Sequence, residues 1–126
     1  MNTFKKILLA LAITTISSTA FAVANPSYEE VQSAIDKTLA KVEEANTVIN
    51  NNSSDTEKLI DIVTDARQIQ KDIANNVLDV KRNQASNVLK QARFALQKNK
   101  LQAAKEFLAD ALNRYKEIKQ IYADNH

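Results

Sequence analysis

The sequence predicts an all-α protein, an antiparallel up-down four-helix bundle that remains once an export leader is removed. Three observations point there. The 126 residues include no glycine and a single proline, so the residues that tight hairpins and phosphate-cradling loops depend on are missing. Beyond position 27 the apolar residues recur at three- and four-residue steps instead of alternating. Short polar runs rich in Asn, Ser and Lys interrupt that recurrence at intervals that suit helices joined by brief connections.

The leader comes first. Lys5 and Lys6 form a positive n-region, Ile7 to Ile13 a short apolar h-region, and Ala20-Phe21-Ala22 puts small residues at the two positions a signal peptidase inspects. Residues 1–22 therefore read as a cleaved signal peptide, with the cut before Val23, or before Asn25 if Ala22-Val23-Ala24 is used. Thr14, Thr15, Ser17, Ser18 and Thr19 interrupt the apolar run well short of the about 20 residues that a spanning helix needs. No Cys follows for lipid attachment. The expected mature chain, residues 23–126, is one periplasmic or secreted domain with no transmembrane segment.

Ser27-Tyr28-Glu29-Glu30 has the pattern of a capping box, in which Ser27 accepts from the Glu30 amide and the Glu30 carboxylate reaches back. A first helix is expected from Ser27 to Ile49, with Tyr28, Val31, Ile35, Thr38, Leu39, Val42, Ala45 and Ile49 on one stripe. Asn50 to Ser53 ends it, because short polar side chains compete with the helical backbone for hydrogen bonds. Ser54-Asp55-Thr56-Glu57 reads as a second capping box. The second helix then carries Leu59, Val63, Ala66, Ile69, Ile73, Val77 and Val80, and its break is placed near Lys81 to Asn83, failing which the second and third helices fuse into one rod.

The third helix uses Ala85, Val88, Leu89, Ala92, Ala95 and Leu96 as its core face. Lys98-Asn99-Lys100 is a connector short enough to join antiparallel neighbours. The fourth has the cleanest recurrence: Leu101, Ala104, Leu108, Ala111, Tyr115, Ile118 and Tyr122.

Charge is divided along the chain. Val23 to Asp79 holds eleven acidic and five basic residues, a net −6, while Val80 to His126 holds ten basic and four acidic, a net +6. Either the halves complement each other across a seam, or the basic half faces an anionic partner. The mature total of zero and the export signal argue against nucleic-acid binding.

Chemistry-bearing groups are scarce. There is no Cys, Met1 is the only Met, and His126 is the only His, so haem ligation and di-iron Glu-x-x-His pairs lack their ligands. No cofactor, metal site or enzymatic activity is expected. Glu57, Asp61, Asp65 and Asp72 fall near one face of the second helix, a row of the oxygen ligands that hard cations take but one that reads more simply as solvated surface. Phe94 points away from the stripe of Ala85, Ala92 and Leu96, among Asn87, Lys90, Gln91 and Lys98. An aromatic ringed by lysines on a polar face is a candidate interaction patch. Phe107, Arg114 and Ile121 form a second off-stripe line that either widens this surface or extends the core.

The stretch Asn87-Val88-Leu89-Lys90-Gln91-Ala92-Arg93-Phe94-Ala95-Leu96, continued by Ala103-Ala104-Lys105-Glu106-Phe107-Leu108-Ala109-Asp110-Ala111-Leu112, resembles the helical hairpins of the small metal-binding protein family of the bacterial periplasm. The resemblance implies a periplasmic four-helix protein. That family binds metals through histidines along its helices, and none stands at such positions here, so no ligand set carries over. The expected function is a non-enzymatic exported bundle acting on a protein or an anionic envelope component. The alternatives are a periplasmic cation-binding or stress-response protein and an immunity protein against a secreted toxin.

Overall fold

The computed structural model describes residues 27–51 and 55–125, and within them four helices run Tyr28–Asn50 (α1), Thr56–Ile69 (α2), Asp79–Gln97 (α3) and Leu101–Asp124 (α4). α1 packs against α2 and α4, and α3 against the same two. The chain thus travels up, down, up and down around a square, the all-α four-helix bundle that the periodicity predicts. The expected leader at residues 1–22, both expected cleavage positions and Asn52-Ser53-Ser54 lie outside the described residues.

The first cap forms as read: the Glu30 amide donates to Ser27 Oγ at 3.1 Å, and the Ser27 amide donates to Glu30 Oε1 at 2.9 Å. The second differs. Asp55 is the N-cap of α2, accepting from the Lys58 amide at 3.1 Å, so the helix starts one residue later than a Ser54 cap would place it. An Asp suits this position twice over, as an acceptor for an open amide and as a negative charge at the positive end of the helix dipole.

One core joins all four helices, and it includes Ile35, Val42, Leu59, Val63, Leu89, Leu96, Leu108 and Ile118. Each such side chain contributes about 1.5–3 kcal/mol by leaving water. Thr38 is buried among them without an unmet hydroxyl, because its Oγ1 donates to the Ala34 carbonyl one turn back at 2.7 Å. Phe107 and Ile121 pack partly buried against the core, and Arg114 pairs with Asp110 at 3.0 Å. That off-stripe line extends the interior of α4.

The break between the second and third helices is not at Lys81 to Asn83, which are helical, and the two helices are not fused. It spans Gln70 to Leu78: a single 3-10 turn at Gln70–Asp72 and then an irregular stretch. Ile73 and Leu78 are both fully buried. Five residues apart, they would lie on different sides of a continuous helix, so burying both requires the chain to leave helical geometry. Asn75 supplies the turn, its carbonyl accepting from the Leu78 amide at 3.0 Å and its side chain from the Val77 amide at 2.9 Å. Val77 and Val80, expected in the buried stripe, are instead about two-thirds exposed.

The other connection of α3 follows the sequence closely. Asn99 takes the left-handed conformation with φ 57°. The Lys100 amide donates to the Ala95 carbonyl at 2.8 Å and the Asn99 amide to the Leu96 carbonyl at 3.0 Å, the Schellman pattern that normally calls for glycine. Asn is the usual substitute in a chain that has none.

At the opposite end of the bundle the two outer helices close on each other. Tyr28 and Tyr122 stack with centroids 5.0 Å apart and planes at 12°, and the Tyr122 hydroxyl donates to the Tyr28 carbonyl at 3.2 Å. Nearby in the interior, the buried Tyr115 hydroxyl donates to Oε1 of the buried Gln70 at 3.3 Å. This bond pins the start of the Gln70 to Leu78 connection to α4. Burial pushes the Tyr115 hydroxyl well above the usual tyrosine range, against the opposing pull of the Arg82 and Arg67 guanidiniums.

Candidate interaction surface

α3 turns its apolar stripe inward and leaves an outer face that, among the described residues, no other helix covers. Val80, Asn87 and Phe94 recur at seven-residue steps along that face, and Gln84, Gln91 and Lys98 each follow one turn later; all six are exposed. Residues seven apart are only about 20° out of line. Val80 is 67% exposed and Phe94 45%, and they stand about 21 Å apart at about 1.5 Å per residue. The predicted residues Asn87, Lys90, Gln91, Phe94 and Lys98 thus share one stretch of surface, with Lys98 at the C-cap of α3.

Phe94 is not a bare apolar side chain. Lys90 Nζ lies 5.8 Å from its ring centroid, within range of the attraction between a cation and the negative face of an aromatic ring. The lysine holds one face of the ring and its charge stays in water, so an incoming group meets an apolar edge and a cation together.

Along the sequence, the charge on either side of this aromatic has one sign. From Val80 to Lys105 the sequence has seven basic residues and no Asp or Glu. Lys81 pairs with Glu117 at 3.0 Å and Arg82 with Asp79 at 3.6 Å. Among the described residues, Lys90, Arg93, Lys98, Lys100 and Lys105 form no ion pair. They cluster on the second half of α3, the Asn99 turn and the first turns of α4. Lys98 and Lys100 also sit beside the C-terminal carbonyls of α3, where the helix dipole favours cations.

The α1–α2 side is different in kind. An open groove of about 580 Å³ lies between the start of α1 and the Gln70 to Leu78 connection, and its lining mixes Glu29, Glu30 and Asp72 with Lys37 and Lys71. Of the acidic row, Asp65 pairs with Lys41 at 3.7 Å. Asp72 lies past the end of α2 in the 3-10 turn, so it does not share a helix face with Glu57, Asp61 and Asp65. Among the described residues, no group of three or more His, Cys, Asp or Glu is placed to hold a metal ion. No described helix is long and apolar enough to cross a membrane. Lys119–Asp36 at 3.1 Å and Arg82–Asp79 at 3.6 Å join the two halves of the sequence, whereas Lys41–Asp65, Lys81–Glu117 and Arg114–Asp110 each lie within a single half.

Sequence reasoning missed Val80 as part of the surface because it ran the buried stripe of the second helix through Val77 to Val80. The signal for it was present: Val80 precedes Phe94 by two heptads. Comparison of the chain with family models, curated proteins and solved structures finds no match in any of the three.

Proposed function

We propose that this chain is an exported, non-enzymatic helical bundle that acts by binding another macromolecule of the cell envelope through the outer face of α3. The observation that carries the reading is Phe94, 45% exposed with Lys90 over its ring, in a region whose neighbouring cations lack ion-pair partners. Leaving an aromatic ring half in water has a solvation cost that a partner relieves, and aromatic and basic side chains together make effective anchors. The leader at residues 1–22 supports the location. The shortage of nucleophiles and general bases, with no Cys and His126 as the only His, supports a binding role over catalysis.

The test is capture from envelope extract with the wild type and with Phe94→Asp. Because the side chain is on the outer face, the variant keeps its helicity by circular dichroism and loses the bound component. Retention of the same component by the folded variant removes this face from the account.

A further inference from the structure

We infer that the partner of the α3 face is an anionic lipid surface, on which α3 lies flat with Phe94 and Val80 as shallow apolar anchors and the unpaired cations around the Asn99 turn facing the headgroups. The inference rests on the proposed interaction role of this face and specifies what the face binds.

Three features favour a lipid layer over an acidic protein. The first is charge complementarity. Lys90, Lys98 and Lys100 are exposed, Arg93 and Lys105 half-buried, and none of the five forms an ion pair among the described residues; the sequence from Val80 to Lys105 holds no Asp or Glu. Each cation held near an anionic surface raises partitioning about fivefold. The second is the layout of the apolar groups. A protein partner is usually gripped by a central cluster seated in a pocket, but here the anchors are separate, about 21 Å apart along one helix face. Exposed amides, Asn83, Gln84, Asn87 and Gln91, fill the interval. A continuous layer can receive separated anchors without a matching cavity, and the polar amides remain at headgroup level. The third is the contrast with the opposite side, where Lys37, Lys41 and Lys71 interrupt the acidic surface of α1, α2 and the connection. The α3 face and the Asn99 turn are therefore the side of the molecule on which cations without ion-pair partners gather, since the acids beside it at Asp79 and Glu117 are paired with Arg82 and Lys81.

With only two modest apolar anchors, attachment is peripheral and electrostatic. The full protein, purified as the cell processes it, is floated with vesicles of pure phosphatidylglycerol and of pure phosphatidylcholine. Binding is expected to the first and not the second, with release in about 1 M salt, where the screening length shrinks to about 3 Å. Lys90→Gln with Lys98→Gln is expected to lower partitioning about 25-fold, and Phe94→Ser about tenfold. Glu57→Gln with Asp61→Gln, on the other side, leaves it unchanged. Since all of these side chains are exposed, helicity measured alongside confirms that each variant is folded, and Val80→Ser provides an independent apolar variant with a smaller loss.

Equal binding to both vesicles, no binding to phosphatidylglycerol, or binding indifferent to Lys90, Lys98 and Phe94 overturns the inference. If vesicles fail while Phe94→Asp still abolishes capture of a protein, the lipid assignment falls and the interaction role stands. If Phe94→Asp changes neither result, both fall.

Discussion

α3 is entered and left through two connections that solve the same problem by different means. Neither contains glycine or proline. At Lys98 to Lys100 a local device ends the helix: Asn99 adopts a left-handed conformation and two amides turn back onto open carbonyls. At Gln70 to Leu78 the cause is remote, because the chain leaves helical geometry so that Ile73 and Leu78 can both reach the core. The first connection is fixed by its own backbone. The second depends on what its side chains find in the interior.

That contrast makes quantitative demands. The largest effect falls on the remote connection: Leu78→Ala removes a fully buried side chain at the start of α3 and costs about 2–5 kcal/mol, read as a shift in the denaturant midpoint. A loss below about 1 kcal/mol means that the connection holds its shape without this anchor. Next is Tyr115→Phe, which leaves Gln70 Oε1 buried without its donor and costs about 1–3 kcal/mol.

The same tyrosine gives the fold a pH limit. Its folded-state pKa lies above the unfolded value of about 10, because burial disfavours the phenolate. The folded state therefore binds more protons than the unfolded state once the pH passes about 10, and stability declines from there upward. Stability from this group is fully present below that pH. Tyr115→Phe should flatten the alkaline decline in thermal melts recorded across that range, and an unchanged slope would place its origin elsewhere.

The local connection responds to conformation instead. Asn99→Val puts a β-branched side chain in a left-handed position and costs about 1–2 kcal/mol, whereas Asn99→Gly is neutral or stabilising. If the two variants melt alike, the backbone geometry is not what limits this turn. The smallest effect is expected at Val80→Ser, on the solvent side of α3, which changes stability by no more than about 0.5 kcal/mol. Leu78 and Val80, two residues apart, should thus differ severalfold in cost.

These two connections also mark how much of the fold was legible in the sequence. The stripes of α1, α3 and α4 follow from three- and four-residue recurrence, since each helix meets the core along one side for its whole length. The Ser27 cap and the Asn99 turn are local, and short motifs state them directly. The Gln70 to Leu78 connection is not local. Val77 and Val80 continue the spacing of Ile69 and Ile73 well enough to look like two more turns of helix, and only the demand of Leu78 for the interior shows otherwise. Asn75-Asn76 was the available clue. Val80 was lost from the surface for the same reason, whereas Phe94, Lys90 and Lys98 were read as exposed, as they are, because an aromatic opposite its own helix stripe stands out. The Tyr115 to Gln70 bond joins residues 45 apart in sequence, and no spacing rule announces such a pair.

The stacked Tyr28 and Tyr122 bring the first and last turns of the bundle to one pole, while Lys98 and Lys100 occupy the other, about 36 Å away along α4 at about 1.5 Å per residue. A label, fusion or sensor-chip linkage joined directly to the end of α4 therefore projects from the far pole, and the lysine-bearing turn stays free to meet whatever is presented to it.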